Sequence, residues 1–124
     1  MKRILALLAA ATLVSSLYAG EVRSTALEAS HVVATSGAQL NRLDVFNSKG
    51  SAQFILIMNA TSLPSNGAVS LLYPPIPIGA NTLLSIPFPR GLKASTGIVV
   101  ANSSTGTFSL TVGSADIALY AETQ

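Results

Sequence analysis

Two proline pairs constrain this chain more than any other feature. They lie in Tyr73-Pro74-Pro75-Ile76-Pro77-Ile78 and in Leu83-Leu84-Ser85-Ile86-Pro87-Phe88-Pro89. In a strand, the N–H groups of residues i and i+2 point to the same side, so Pro75 with Pro77, and Pro87 with Pro89, delete donors from one side only. Ile76, Ile78, Ile86 and Phe88 keep their donors toward the other side. Such a strand can pair once and not twice. It belongs on a sheet edge, where proline also blunts unwanted pairing. The pattern predicts two edge strands, which can belong to different sheets.

The rest of the chain supplies strands for those edges to close. Phe54-Ile55-Leu56-Ile57-Met58 is apolar on both faces and reads as a central strand covered on both sides. Leu40 to Asn47 alternates loosely, and Asn47-Ser48-Lys49-Gly50-Ser51 is a turn cluster, so the two runs predict a hairpin. Ser30 to Thr35, Ala68 to Tyr73 and Ile98 to Ala101 read as further short strands, and Asn102 to Gly106 as a polar hairpin loop. Thr107 to Val112 alternates, with Phe108, Leu110 and Val112 expected inward. Ala115 to Ala121 closes the set, with Ile117 and Leu119 inward and Tyr120 on the other face. About seven to nine short strands punctuated by Gly, Pro and Asn predict an all-β chain, an antiparallel β-sandwich or jelly-roll-like fold.

An N-terminal hydrophobic signal helix is expected ahead of this domain. Lys2 and Arg3 precede an apolar run from Ile4 to Val14, and small residues lead to a cleavage point after Ala19. The run is short of the ~20 apolar residues of a membrane span. The expected organisation is a signal peptide, or an uncleaved apolar arm, over 1–19; a polar N-terminal segment over 20–38; and the sandwich over 39–124. The formal net charge of +2 comes entirely from Lys2 and Arg3. Beyond them, Arg23, Arg42, Lys49, Arg90 and Lys93 balance Glu21, Glu28, Asp44, Asp116 and Glu122. A domain without net charge or a basic stripe has no electrostatic footprint for nucleic acid. Charged residues make up only 10% of the chain, against about a quarter in ordinary domains, so the surface is poorly protected against self-association. With no cysteine, an exported domain must hold together by burial and sheet pairing alone.

No set of residues spells out a chemistry. His31 is the only histidine, and its neighbour Ser30 would point to the opposite face of a strand, so a Ser–His–Asp site is not expected. Asp44 and Asp116 are the carboxylates expected within strands, and nothing pairs them as a glycosidase would require. Asp44 beside Arg42 or Lys49 reads as a surface ion pair. The carboxylates are too scattered for a zinc or calcium site. The expectation is therefore no catalytic, metal or cofactor-binding residues and no cofactor. Asn59-Ala60-Thr61 and Asn102-Ser103-Ser104 match the N-glycosylation pattern and are read as loop markers only. Most of the aromatic side chains are expected in the core.

The chain from about Leu40 to Tyr120 resembles a family of small β-proteins encoded by tailed bacteriophages. The matching pieces are Leu43-Asp44-Val45-Phe46-Asn47-Ser48, Phe54 to Asn59, Pro75-Ile76-Pro77-Ile78-Gly79-Ala80, Gly91-Leu92 with Ser95-Thr96-Gly97-Ile98-Val99-Val100-Ala101, and Asp116 to Tyr120. The resemblance implies a virion-associated β-sandwich, such as a capsid decoration, minor head or fibre component. It implies no enzyme, self-association with a trimer expected by analogy, and other virion proteins as partners. No nucleic acid is expected, and no membrane once the signal is removed. The alternative reading is an exported bacterial surface or periplasmic module that binds a glycan or a protein. A small hydrolase is the third.

Overall fold

The computed structural model describes residues 20–124, so the expected signal or arm over 1–19 lies outside the described residues. Ten strands follow in chain order: β1 (Gly20–Arg23), β2 (Ser30–Ala34), β3 (Ala38–Asn47), β4 (Gln53–Met58), β5 (Gly67–Ala68), β6 (Ile76–Ile78), β7 (Thr82–Ala94), β8 (Ile98–Ser103), β9 (Ser109–Leu110) and β10 (Ile117–Thr123). They form two four-stranded antiparallel sheets, ordered β1-β10-β3-β7 and β2-β8-β4-β6, and a small β5-β9 ribbon. The two larger sheets pack together as a β-sandwich.

Both proline-bearing strands are edges, one in each sheet. Pro77 lies in β6, the outer strand beside β4, and Pro87 and Pro89 lie in β7, the outer strand beside β3. β7 is also bulged. Leu40 pairs with Leu92 and Arg42 with Pro87, so Phe88-Pro89-Arg90-Gly91 stand against Asn41 alone. Gly91 takes the left-handed conformation that this bulge requires (φ 71°), with the Gln39 side chain packed where a Cβ would sit.

The core is aliphatic and has two parts. Between the sheets, Leu40, Leu43, Val45, Ile117, Leu119 and Ala121 meet Ile55, Ile57, Ile76, Ile78, Ile98 and Val100. On the other face of the second sheet, Leu56, Met58, Val99 and Ala101 pack with Leu110 of the small ribbon and with Val69, Leu71 and Val112 around it. β4 is thus buried on both faces, as its unbroken apolar run predicts. Ile117 and Leu119 point inward and Tyr120 outward, also as the alternation predicts.

Several expectations are corrected. β3 and β4 do not form a hairpin: β3 pairs with β10 and β7, whereas β4 pairs with β8 and β6. The turn after Asn47 carries the chain across from one sheet to the other. Within residues 20–38 the expected strand at Ser30 to Thr35 is present as β2, and an unexpected edge strand, β1, precedes it. Ala68 to Tyr73 is strand only at its start, and Thr107 to Val112 only at Ser109–Leu110. Phe108 is 65% exposed rather than inward. The expected loop at Asn102 and Ser103 is instead the buried end of β8. Most aromatics lie outside the core. Of the described Phe and Tyr side chains only Phe88 is buried, edge-on to Tyr73 at 5.4 Å, while Phe46, Tyr73 and Phe108 are exposed.

Candidate functional site

Short strands need their ends tied, and four asparagines do this work. Asn47, fully buried at the crossing between sheets, donates from Nδ2 to the carbonyls of Ser51 (3.1 Å) and Gly79 (2.9 Å). Its Oδ1 accepts from Lys49 N (3.0 Å) and from the buried Gln53 Nε2 (2.7 Å). Asn102, equally buried, donates from Nδ2 to Ser114 O (2.7 Å) and accepts from Gly113 N (3.1 Å). At the opposite end Asn59 accepts from Thr96 N (3.0 Å) and donates to Ser95 Oγ (3.0 Å). Asn66 accepts from Val112 N (3.0 Å). Among the described residues every buried side-chain polar atom has a partner. Burial of Asn102 makes its sequon inaccessible in the folded domain, and the Asn59 amide is engaged on both sides.

The side chains considered for chemistry are held apart, each by its own neighbours. His31 lies on β2 with Nδ1 2.6 Å from Glu28 Oε1 and 3.1 Å from Oε2. Asp116 accepts from Ser114 Oγ at the loop before β10. Asp44 accepts from Arg42 Nε (3.1 Å), as expected, and also from Ser85 Oγ across the β3–β7 pair. None of His31, Asp44 and Asp116 is hydrogen-bonded to another. Partial burial pushes the Asp44 carboxyl up, but the hydrogen bonds from Ser85 and Arg42 and the Arg42 charge outweigh it and hold the group below its ordinary value. Asp44 in turn raises Arg42. Among the described residues no group of three His, Cys, Asp or Glu side chains is placed to hold a metal ion.

Two surfaces stand out. The first is the outer face of the β1-β10-β3-β7 sheet. Register places Glu21, Glu122 and Arg42 in one row, and Arg23, Tyr120, Asp44 and Ser85 in the next. Tyr120 Oη donates to Glu122 Oε1 (3.1 Å). Its partial burial, then the Glu122 and Glu21 carboxylates, push the phenol up to about 12. A third row is apolar: Ala118, Phe46 and Leu83, the last 66% exposed. The second surface is a shallow depression of about 340 Å³ at the β7 bulge, lined by Phe88, Pro89, Arg90 and Gly91. Residue by residue, the charged rows were hidden in the sequence, because β1 has too little apolar pattern to be seen as a strand. Its one signal is the symmetric Glu21-Val22-Arg23 triplet.

The arrangement can bind and pair surfaces. Among the described residues, His31, Asp44 and Asp116 each bond to their own neighbours and not to one another. No family model, curated protein or solved structure matches the chain.

Proposed function

We propose that this chain is a non-enzymatic structural protein of jelly-roll type. In this reading it is a bacteriophage virion component, a capsid decoration, minor head or fibre module, that assembles with copies of itself and with other virion proteins. It uses no cofactor, and its partners are proteins rather than nucleic acid or membrane. The observation that carries the reading is the strand order, β1-β10-β3-β7 against β2-β8-β4-β6. The chain alternates between sheets from β1 to β4 and again from β6 to β10, leaving aside the β5-β9 ribbon. That is the order expected of two Greek keys rolled into a double sheet, an architecture used by capsid and lectin domains. Fold alone does not fix function. The near-neutral surface and the resemblance of the Leu40 to Tyr120 motifs to phage β-proteins add the particular role.

A second reading, an exported surface or periplasmic module that binds a glycan or protein, is favoured by the signal-like start of the chain and by the exposed Phe108 and Tyr73. These two aromatics lie on different loops, Tyr73 ahead of β6 and Phe108 ahead of β9. N-terminal sequencing of the protein from purified particles and from culture medium separates the readings. Recovery in particles with Met1 intact is the expected result for a virion component. Protein found only in the medium, starting near Gly20, would overturn it.

A further inference from the structure

The two flanks of the sandwich are treated unequally. One flank, formed by β6 and β7, carries Pro77, Pro87 and Pro89 and a wide bulge. The other flank, formed by β1 and β2, has no proline. There Val32 is 40% exposed on β2, and β1 ends the other sheet with Glu21 and Arg23 exposed on either side of Val22. Prolines, bulges and inward charges are the devices that protect a sheet edge. Proline is confined to one flank; on the other, β1 is short and charged, and β2 carries a single register shift between Val32 and Ala34.

The hydrogen-bond phase of β1 shows what its outer edge, unpaired among the described residues, offers. Ser24 N donates to Leu119 O at 2.9 Å, continuing the β1–β10 register. Bonded and non-bonded pairs alternate along an antiparallel ladder. Val22 therefore spends its backbone groups on β10, while Glu21 and Arg23 aim theirs outward. The side chains follow the opposite division: Val22 packs against the core, and Glu21 and Arg23 stand on the outer face. Within its own sheet Glu21 faces another carboxylate, Glu122, directly across the ladder. Like charges so placed are unfavourable. Among the described residues neither Glu21 nor Arg23 has an ion-pair partner.

We infer that the β1 edge is a homodimer interface, in which β1 pairs antiparallel with β1 of a second copy about a two-fold axis at Val22. That register satisfies every feature above. Glu21 lies opposite Arg23 of the second copy, and Arg23 opposite Glu21 of the second copy. Each of these pairs exchanges two backbone hydrogen bonds through the groups that point outward. The two Val22 side chains meet at the non-bonded position and extend the core across the axis. Glu21, which faces Glu122 within its own sheet, gains a cation on its other side. A two-fold axis makes this contact self-complementary and closed. The occupant is a second copy because the Glu-Val-Arg triplet is its own charge complement in this register. This interface rests on the self-association part of the proposed function and not on its virion part.

The test uses sedimentation velocity on the full chain and on the variants Glu21→Arg and Arg23→Glu. Both side chains are exposed, so the fold is not at stake. Each single variant places like charges opposite one another twice in the dimer and should raise the dissociation constant at least about tenfold. Mixing the two variants should restore association as a heterodimer, because Arg-Val-Arg then lies opposite Glu-Val-Glu. The double variant Glu21→Arg/Arg23→Glu should dimerise like the parent chain. A parent chain that stays monomeric, a trimer, or association indifferent to these reversals would overturn the inference. Charge-dependent dimerisation of a protein absent from particles would support the interface while removing the virion role. Incorporation into particles without that charge dependence would do the reverse.

Discussion

Replacing Asn47 by alanine tests whether the crossing between sheets is held by one side chain. The substitution removes four hydrogen bonds: two donated to Ser51 O and Gly79 O, two accepted from Lys49 N and Gln53 Nε2. Each is worth about 0.5–1.5 kcal/mol net, so a simple sum is ~2–6 kcal/mol. Two considerations narrow it. Lys49, Ser51 and Gly79 lie in loops at the end of the sandwich, where water can replace part of what is lost. The Gln53 amide is only 3% exposed and is left unsatisfied, which alone costs about 1–3 kcal/mol. The expected loss is therefore ~2–4 kcal/mol. For a domain of about 100 residues this lowers Tm by roughly 8–20 °C. Urea unfolding followed by circular dichroism measures it, with the midpoint falling and the slope unchanged. Asn59→Ala, on a partly exposed loop, should lose about 1 kcal/mol. A loss below about 0.5 kcal/mol for Asn47→Ala would refute the argument that this amide fixes the crossing.

Gly97→Ala should be about as poorly tolerated, because the new Cβ would lie 2.5 Å from Ala60 O and 2.7 Å from Ala34 O, both backbone atoms that cannot swing away. A destabilisation of about 2–4 kcal/mol in the same urea assay is expected. Ultraviolet titration, read as the difference between the parent chain and Tyr120→Phe, should place the Tyr120 phenol at about 12, and Glu122→Gln should bring it down. Because the folded value lies above the ordinary 10.0, this group's contribution to stability is complete below pH 10 and is lost as pH rises toward about 12. Pro77→Thr should leave unfolding within about 1 kcal/mol of the parent but speed aggregation in light scattering, since it restores a donor to an edge that lacks one.

The features legible in the sequence are those fixed by a residue's own chemistry. A missing N–H is local, so the prolines marked β6 and β7 as edges without any knowledge of the fold. An unbroken apolar run is local too, and Phe54 to Met58 marked a strand covered on both faces. What covers its outer face was not legible, because the β5-β9 ribbon pairs only two residues from each side. The Asn47 to Ser51 turn shows the limit clearly. Its residues say that the chain bends, but a hairpin and a crossing between sheets need the same bend. The difference lies in Gly79, 32 residues away, and in Gln53 at the start of β4, which bind the Asn47 amide once both sheets exist. Alternation likewise misled at Phe108, where Leu110 alone is buried. The candidate surface was the least legible part, since Glu21 and Arg23 belong to a strand recognisable only by its pairing with β10.

The asparagines suggest how a domain with few charges and no cysteine can do without disulfides. A disulfide acts largely by restricting the unfolded chain. A buried amide acts on the folded state, tying two or more loops through bonds that exist only when both sheets are in register. Asn47 joins the β3–β4 crossing to the β6–β7 turn, and Asn102 joins the end of β8 to the loop before β10. On this arrangement the loops at both ends are set by the frame. The outer face of the β1-β10-β3-β7 sheet, by contrast, carries charged rows that take no part in the core. Its charges are arranged in rows along the register rather than scattered. The row of Glu21, Glu122 and Arg42, two carboxylates to one guanidinium, runs out to the flank that carries no proline.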